Sequence, residues 1–417
     1  MMLSRFRTLL PGLVLLALAG FGRTESAPSP AAGEPPPVAT LPAEPPPDPT
    51  QQAEQGDMQA QWLLAERLAA QNLWQEAMHW YAAAAGQGSA SAQLQLGNGY
   101  LTGRGVPRDA VQAVQWYRRA AEQGLAAAQV RLGEAALSGI GMAQDQAQAV
   151  QWFSKAAQQG DAVGQLRLAL AHDSGQGVPR DPRLAAEWFA KAAEQGHPVA
   201  QSALGEAYLR GEGVPRDLLQ SAQWFAEAAA QGQSQAQFRL GQAYAQGLGI
   251  ARDPAQAVRW WRQAAEADHP EAAVALGQAY AQGVGTAEDH GSAVHWYTKA
   301  ALQGDPQAQR LLGLAYYSGE GVPQSYGDAM SWCSRAAEQG DLHAQILLGQ
   351  FYYRGLGVPQ NFEQAYIWVG VAASRFSGAG RQEVLQLRDA LAQLLNQEQL
   401  LRAQSRALEL VRSHHWR

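Results

Sequence analysis

The stretch RGEGVPRDLLQSAQWFAEAAAQG, residues 210–232, contains the residue types from which two kinds of site are built. Gly211 and Gly213 suit a loop that cradles phosphate, and Asp217 beside Arg216 suits general acid–base work. Elsewhere the chain offers nine histidines (79, 172, 197, 269, 290, 295, 343, 414 and 415), a single cysteine, Cys333, and the carboxylates Glu134 and Glu206. Position in the chain decides what each can do. A dinucleotide loop needs a strand before it and a third glycine opening a helix. Here a helical pattern precedes, Val-Pro follows, and the G-x-G pair occurs eight times, from Gly103/Gly105 to Gly355/Gly357. Cys333 occupies a position filled elsewhere by Tyr117, Phe153, Phe189, Phe225, Trp261 and Tyr297, so it is expected in the core as a small hydrophobe. Glu134 and Glu206 stand two repeat units apart, too far for a glycosidase-type pair. His79 and His295 share a variable position before a Trp, His414 and His415 are terminal, and His172-Asp173 is the most unusual dipeptide in the array. With no unrepeated nucleophile–base pair, no catalytic residue, metal ligand or cofactor is assigned.

The elements behind these residues follow a strict period. Trp80, Trp116, Trp152, Trp188, Trp224, Trp260, Trp296, Trp332 and Trp368 are spaced by 36 residues. Leu-Gly pairs keep the same step from Leu96-Gly97 to Leu348-Gly349, with Leu168-Ala169 the one departure, and alanine pairs keep it from Ala84-Ala85 to Ala372-Ala373. A period of this length marks stacked supersecondary units.

Each unit reads as two helices. In Leu125–Gly160, Ala128, Leu132, Ala135 and Ala136 mark one face of a helix A that Gly139 and Gly141 end. Helix B begins after Asp145, whose position holds Asp109, Asp181, Asp217, Asp253, Asp289, Ser325 and Asn361 in the other units. Every one of these can accept from free helix N–H groups, so the position is an N-cap. The small residues are expected to let backbones approach, and the Trp to fill the space between hairpins. A single hairpin cannot bury its own apolar face, so neighbours must cover it.

This pattern resembles the Sel1-like repeat family, relatives of the tetratricopeptide repeat. One copy reads Leu204-Gly205, Tyr208, Gly211, Gly213-Val214, Asp217, Ser221, Trp224, Ala228-Ala229 and Gly232. The resemblance implies an all-α fold, a right-handed α-α superhelical solenoid of about nine helix-turn-helix repeats over 51–373, with capping helices over 374–417. Many exported members carry a cysteine pair per repeat; this chain has one cysteine in all.

At the N-terminus, Arg5 and Arg7 precede an apolar run, Leu9 to Ala19, with a small-x-small site at Ala17-Leu18-Ala19. Residues 1–19 are expected to be a signal peptide, and 20–50, Pro-rich with few large apolar residues, a disordered linker. Phe21 stands where a lipoprotein has its cysteine. The expected location is therefore periplasmic or secreted, without lipidation and with no membrane span in the mature chain. Charged residues make up 16% of the chain and the net charge is −6, so there is no clustered basic footprint for nucleic acid.

In such an array the framework positions make the fold and the variable ones make the function. The candidate partner-binding residues, expected on a concave helix-A face, are Arg131, Glu134, Arg167, Glu206, Arg210, Arg239, Gln242, Gln278, Tyr317, Gln350, Tyr353 and Arg354. The expected function is a monomeric, non-catalytic scaffold or adaptor of the bacterial envelope that binds a protein or peptide. The resemblance also implies a periplasmic immunity protein against a secreted toxin such as a phospholipase. A hydrolase of cell-wall material or β-lactams is the third reading, and the missing nucleophile–base pair argues against it.

Overall fold

The computed structural model describes residues 49–378 and 380–413. The expected signal peptide, most of the expected linker and His414 and His415 lie outside the described residues. From Pro49 onward the chain forms one compact unit. It opens with a short helix, α1 (Pro49–Glu54), that the sequence reading did not foresee. Nine helix pairs follow. They are α2 (Met58–Ala70) with α3 (Trp74–Gly86), α4 (Ala90–Thr102) with α5 (Ala110–Glu122), and α6 (Ala126–Ser138) with α7 (Gln146–Gln158). Next come α8 (Ala162–Ser174) with α9 (Pro182–Glu194), α10 (Pro198–Arg210) with α11 (Leu218–Ala230), and α12 (Ser234–Gln246) with α13 (Pro254–Glu266). The last three pairs are α14 (Pro270–Gln282) with α15 (His290–Leu302), α16 (Pro306–Ser318) with α17 (Tyr326–Glu338), and α18 (Leu342–Arg354) with α19 (Phe362–Arg375). Each helix packs on the one before and the one after it, so the chain is an α-solenoid, with no strand among the described residues. Helices α20 (Arg381–Ala392) and α21 (Gln397–Ser413) both pack on α19 and close the last apolar face. Asn396 and Gln399 form a reciprocal capping box at the start of α21, with N–H donors 2.9 and 3.0 Å from the side-chain oxygens.

The local reasons for this architecture lie in the framework positions. All eight N-cap side chains foreseen for helix B accept from backbone N–H groups, Asp217 from both Leu219 and Gln220 at 3.0 and 3.1 Å. Each such cap contributes about 1 kcal/mol. The first glycine of each pair ends helix A in the left-handed region; Gly211 has φ of 73°. The second glycine has a different task. A Cβ at Gly213 would overlap the carbonyl oxygen of Pro182, in the first turn of the preceding helix B. The loop therefore packs backbone against backbone across the seam between repeats.

The small residue in Leu-Gly also does something other than expected. A Cβ at Gly133 would stand 2.5 Å from Cε1 of Phe153. The space it leaves is taken chiefly by the helix-B side chain of its own hairpin rather than by another backbone. Cys333 fills the same position against Gly313, fully buried, and burial pushes its thiol pKa up to about 12. That suppresses the thiolate any nucleophilic role would need. The tryptophans bridge repeats: Trp152 packs on the core around Leu132, and Trp188 touches both the Phe153 and the Phe189 cores.

A buried glutamine in every helix A but α14 adds a polar residue to the seam. Gln129 donates to the Ala121 carbonyl in the last turn of α5 (3.2 Å) and accepts from Gln159, the C-cap of α7 (2.8 Å). One carboxamide thus links three helices and gives the Ala121 carbonyl a second donor beside the Gly124 N–H (3.0 Å). The same tie recurs at Gln93, Gln165, Gln201 and Gln309. It fails at one internal seam. Ala267 replaces the C-cap glutamine, so Oε1 of Gln237 is buried without a partner, and Ala273 replaces the next ladder residue. There Lys299 supplies the donor instead, reaching the Ala265 carbonyl (2.6 Å) and Asp268 (2.9 Å). Asp268 adopts φ of 61° where the other repeats use glycine.

Candidate partner-binding face

The variable positions of helix A face outward in two stretches of unlike chemistry. Over α6–α12 they are charged and matched. Glu134 pairs with Arg131 on its own helix (3.0 Å) and with Arg167 of the next helix A. Glu206 repeats the arrangement with Arg210 (3.3 Å) and Arg239. Arg239 also donates to Gln242 (2.9 Å). The registers explain this: Arg167 and Arg239 stand 33 residues after Glu134 and Glu206, so each arginine of one repeat lies over the carboxylate of the one before. Seven of the twelve expected binding residues, the six charged ones and Gln242, are thereby engaged with one another. Near the N-terminal end of this face, Tyr117 donates to Asn98 (2.8 Å), and burial pushes the Tyr117 hydroxyl pKa up to about 12.

From α12 to α18 the same face is open and nearly uncharged. Three clefts of about 400, 370 and 50 Å³ lie across α12, α14, α16 and α18. The first two share Gln278 and Gln282, and the second and third share Tyr317, so together they make one groove. Gln242, Gln278, Tyr317, Gln350 and Arg354 line it. The side chains of Gln246, Gln278, Gln282 and Gln350 make no hydrogen bond within the described residues, and Leu311 and Leu314 contribute apolar wall between them. Arg354 donates to the Tyr317 hydroxyl (3.3 Å), and no carboxylate of the described residues lies within 4.0 Å of it. Tyr353 does not join this cluster. Its ring packs at a tilt on Phe362 of α19, with ring centroids 5.8 Å apart, and lines none of the three clefts.

His269, which no sequence pattern singles out, lies behind Phe238, a residue of the first cleft. Its ring stacks on Phe238 (4.9 Å), Nδ1 accepts from the Ala272 N–H (3.3 Å), and Nε2 donates to Gln235 (2.9 Å). Burial holds its pKa below the usual histidine value, against the pull of the Glu271 carboxylate, with Arg239 adding to the depression. It caps α14 as a neutral ring. His172 is half-buried at the end of α8, its Nδ1 buried without a partner. A cleft of about 290 Å³ beside it is lined by Arg167, Leu170, Asp173 and Ser174, and His172 is not among its lining residues. Among the described residues no three His, Cys, Asp or Glu side chains converge to hold a metal, and no helix is long and apolar enough to cross a membrane.

Comparison with known proteins agrees with this architecture. The Sel1 repeat profile matches nine segments, 75–89 and then eight contiguous units from 90–125 to 342–375. A Sel1 repeat protein from Oxalobacter formigenes shares 36% identity, with 74% of this chain and 90% of that one covered, at a TM-score of 0.57. A protective antigen present in uropathogenic Escherichia coli strains, displaying an SLR fold, shares 31% identity over 88% of this chain and 95% of that one, at a TM-score of 0.49. No curated protein matches. Sel1 repeats typically serve as protein-interaction scaffolds. Period, caps, paired glycines and profile agree, and the chain belongs to the Sel1 repeat family.

Proposed function

We propose that the chain is an exported, non-catalytic adaptor that binds a protein or peptide partner in the helix-A groove over α12–α18. The observation that carries this reading is the groove itself. It is a continuous run of clefts across four consecutive A helices, and the carboxamides of Gln246, Gln278, Gln282 and Gln350 on it make no hydrogen bond within the described residues. Half-buried Gln278 and exposed Gln246, Gln282 and Gln350 can bond to a second molecule without giving up a bond within the chain. The charged stretch over α6–α12 is a weaker candidate because its arginines and glutamates already complete one another. Export rests on the N-terminal sequence, Arg5 and Arg7 before the apolar run ending at Ala17-Leu18-Ala19.

Affinity capture of the full chain from its own cell envelope tests the reading. A partner held by the wild type and by Glu134→Gln, but lost from Gln278→Ala/Gln282→Ala, supports the groove. A partner held equally by all three removes it. The identity of the partner then separates the two roles: a secreted toxin marks an immunity protein, and an envelope assembly or secretion component marks a scaffold.

A further inference from the structure

We propose that the groove takes an extended polypeptide segment that places an apolar side chain on Leu311 and Leu314 and an acidic side chain, about three residues away, on Arg354. This rests on the groove being the partner site. A carboxamide offers one acceptor and two donors, the complement of a peptide group. Gln242, Gln278 and Gln350 occupy one register position in three of four consecutive repeats, and Leu314 holds it in the repeat between the last two. Packed helices sit roughly 10 Å apart, and an extended chain advances about 3.3 Å per residue. One repeat therefore spans about three residues, and a carboxamide comes abreast of every third peptide group. An extended strand brings unpaired N–H and C=O groups that need such partners once shielded, whereas a helix has already paired its own.

Leu314 breaks the polar row. With the half-buried Leu311 beside it, it makes an apolar wall where the ladder offers no hydrogen bond. Charge sets the direction. Glu271 and Glu320 line the two larger clefts, and Arg354, with no carboxylate of its own, lines the small one at the α18 end. A carboxylate on the incoming segment is repelled from the first two and attracted to the third.

The test is selection of a random decapeptide display library on the full chain, followed by fluorescence anisotropy with one labelled selected peptide. Enriched sequences are expected to share an apolar residue and an Asp or Glu about three positions apart. Arg354→Gln should weaken the labelled peptide at least tenfold and abolish its preference over the version with the acid replaced by its amide. Gln278→Ala/Gln282→Ala should weaken both versions alike. Selected peptides that lack the acidic residue, or that ignore Arg354→Gln while still losing affinity in Gln278→Ala/Gln282→Ala, overturn this inference and leave the groove as the site. Peptides indifferent to every variant overturn both. A library that yields no binder overturns the extended-segment inference, because a folded partner surface is then required. All three substituted side chains lie outside the core, so an unchanged thermal midpoint will confirm that the variants fold.

Discussion

The α6–α12 and α12–α18 stretches of the helix-A face are built on the same framework and carry opposite surfaces. In the first, Glu134 and Glu206 each gather two arginines, one of them from the next repeat. In the second, the position that held those glutamates carries Gln242, Gln278, Leu314 and Gln350, and the arginine position of the following repeats carries Ala275, Leu311 and Leu347. One change of residue type at two register positions turns a self-paired surface into an open groove. A periodic scaffold can thus write one surface for internal cohesion and another for a partner without altering a helix.

The comparison is tested first by what the two stretches share. Gly141→Ala and Gly285→Ala both drive a Cβ into the carbonyl of the preceding helix B, Ala110 in one case and Pro254 in the other, at φ of 73° and 76°. Each is expected to cost about 2–5 kcal/mol, combining left-handed strain with overpacking. Urea unfolding should find the two losses alike; a clear inequality would mean that the framework itself differs between the stretches. The next effect is in the glutamine ladder. Gln129→Leu removes two hydrogen bonds, to the Ala121 carbonyl and from the Gln159 amide, at about 1–3 kcal/mol. Gln237→Leu should cost less, because its Oε1 already lacks a donor.

His269 lies where the two stretches meet and makes that seam sensitive to pH. The fold depresses its pKa, so the unfolded chain binds the proton first as pH falls. Its contribution is complete above the ordinary histidine pKa of about 6.5 and is lost as pH drops below it. Wild type should lose more thermal stability between pH 7 and pH 5 than His269→Gln does, and parallel curves would contradict the assignment. The smallest effect belongs to the ion pairs. Glu134→Gln should cost only about 0.2–1 kcal/mol, shrinking with added salt, because the pairs are partly exposed. Gln278→Ala, with no intramolecular partner to lose, should stay within about 0.5 kcal/mol of wild type.

The repeat period, the helix pairs, the N-caps and the buried place of Cys333 were legible in the sequence, because each rests on a local rule repeated at a fixed step. Less legible were the contacts that cross a seam. Nothing in a G-x-G pair says that Gly213 meets the Pro182 carbonyl; that depends on how two hairpins stack. The glutamine ladder left a readable trace, Gln93, Gln129, Gln165, Gln201 and Gln237 at the repeat spacing, but an amide counts as polar and draws attention away from the core. Among the expected binding residues, Gln242, Gln278, Tyr317, Gln350 and Arg354 come together in one groove, while Tyr353 turns to Phe362. Exposed register positions show which residues are free to vary. They do not show that Arg131, Arg167, Arg210 and Arg239 spend their charge on their neighbours. The 33-residue offset from glutamate to arginine was the signal, and it becomes readable once stacked repeats are compared at neighbouring positions.

The central claim is that the α12–α18 groove, and not the ion-paired stretch, meets the partner. A photo-reactive benzoylphenylalanine placed at Gln278 in one full-length variant and at Arg131 in another measures this directly, by irradiation in the native cell envelope. The account predicts a discrete adduct from position 278 and none from position 131. An adduct from position 131 with none from position 278 would contradict it.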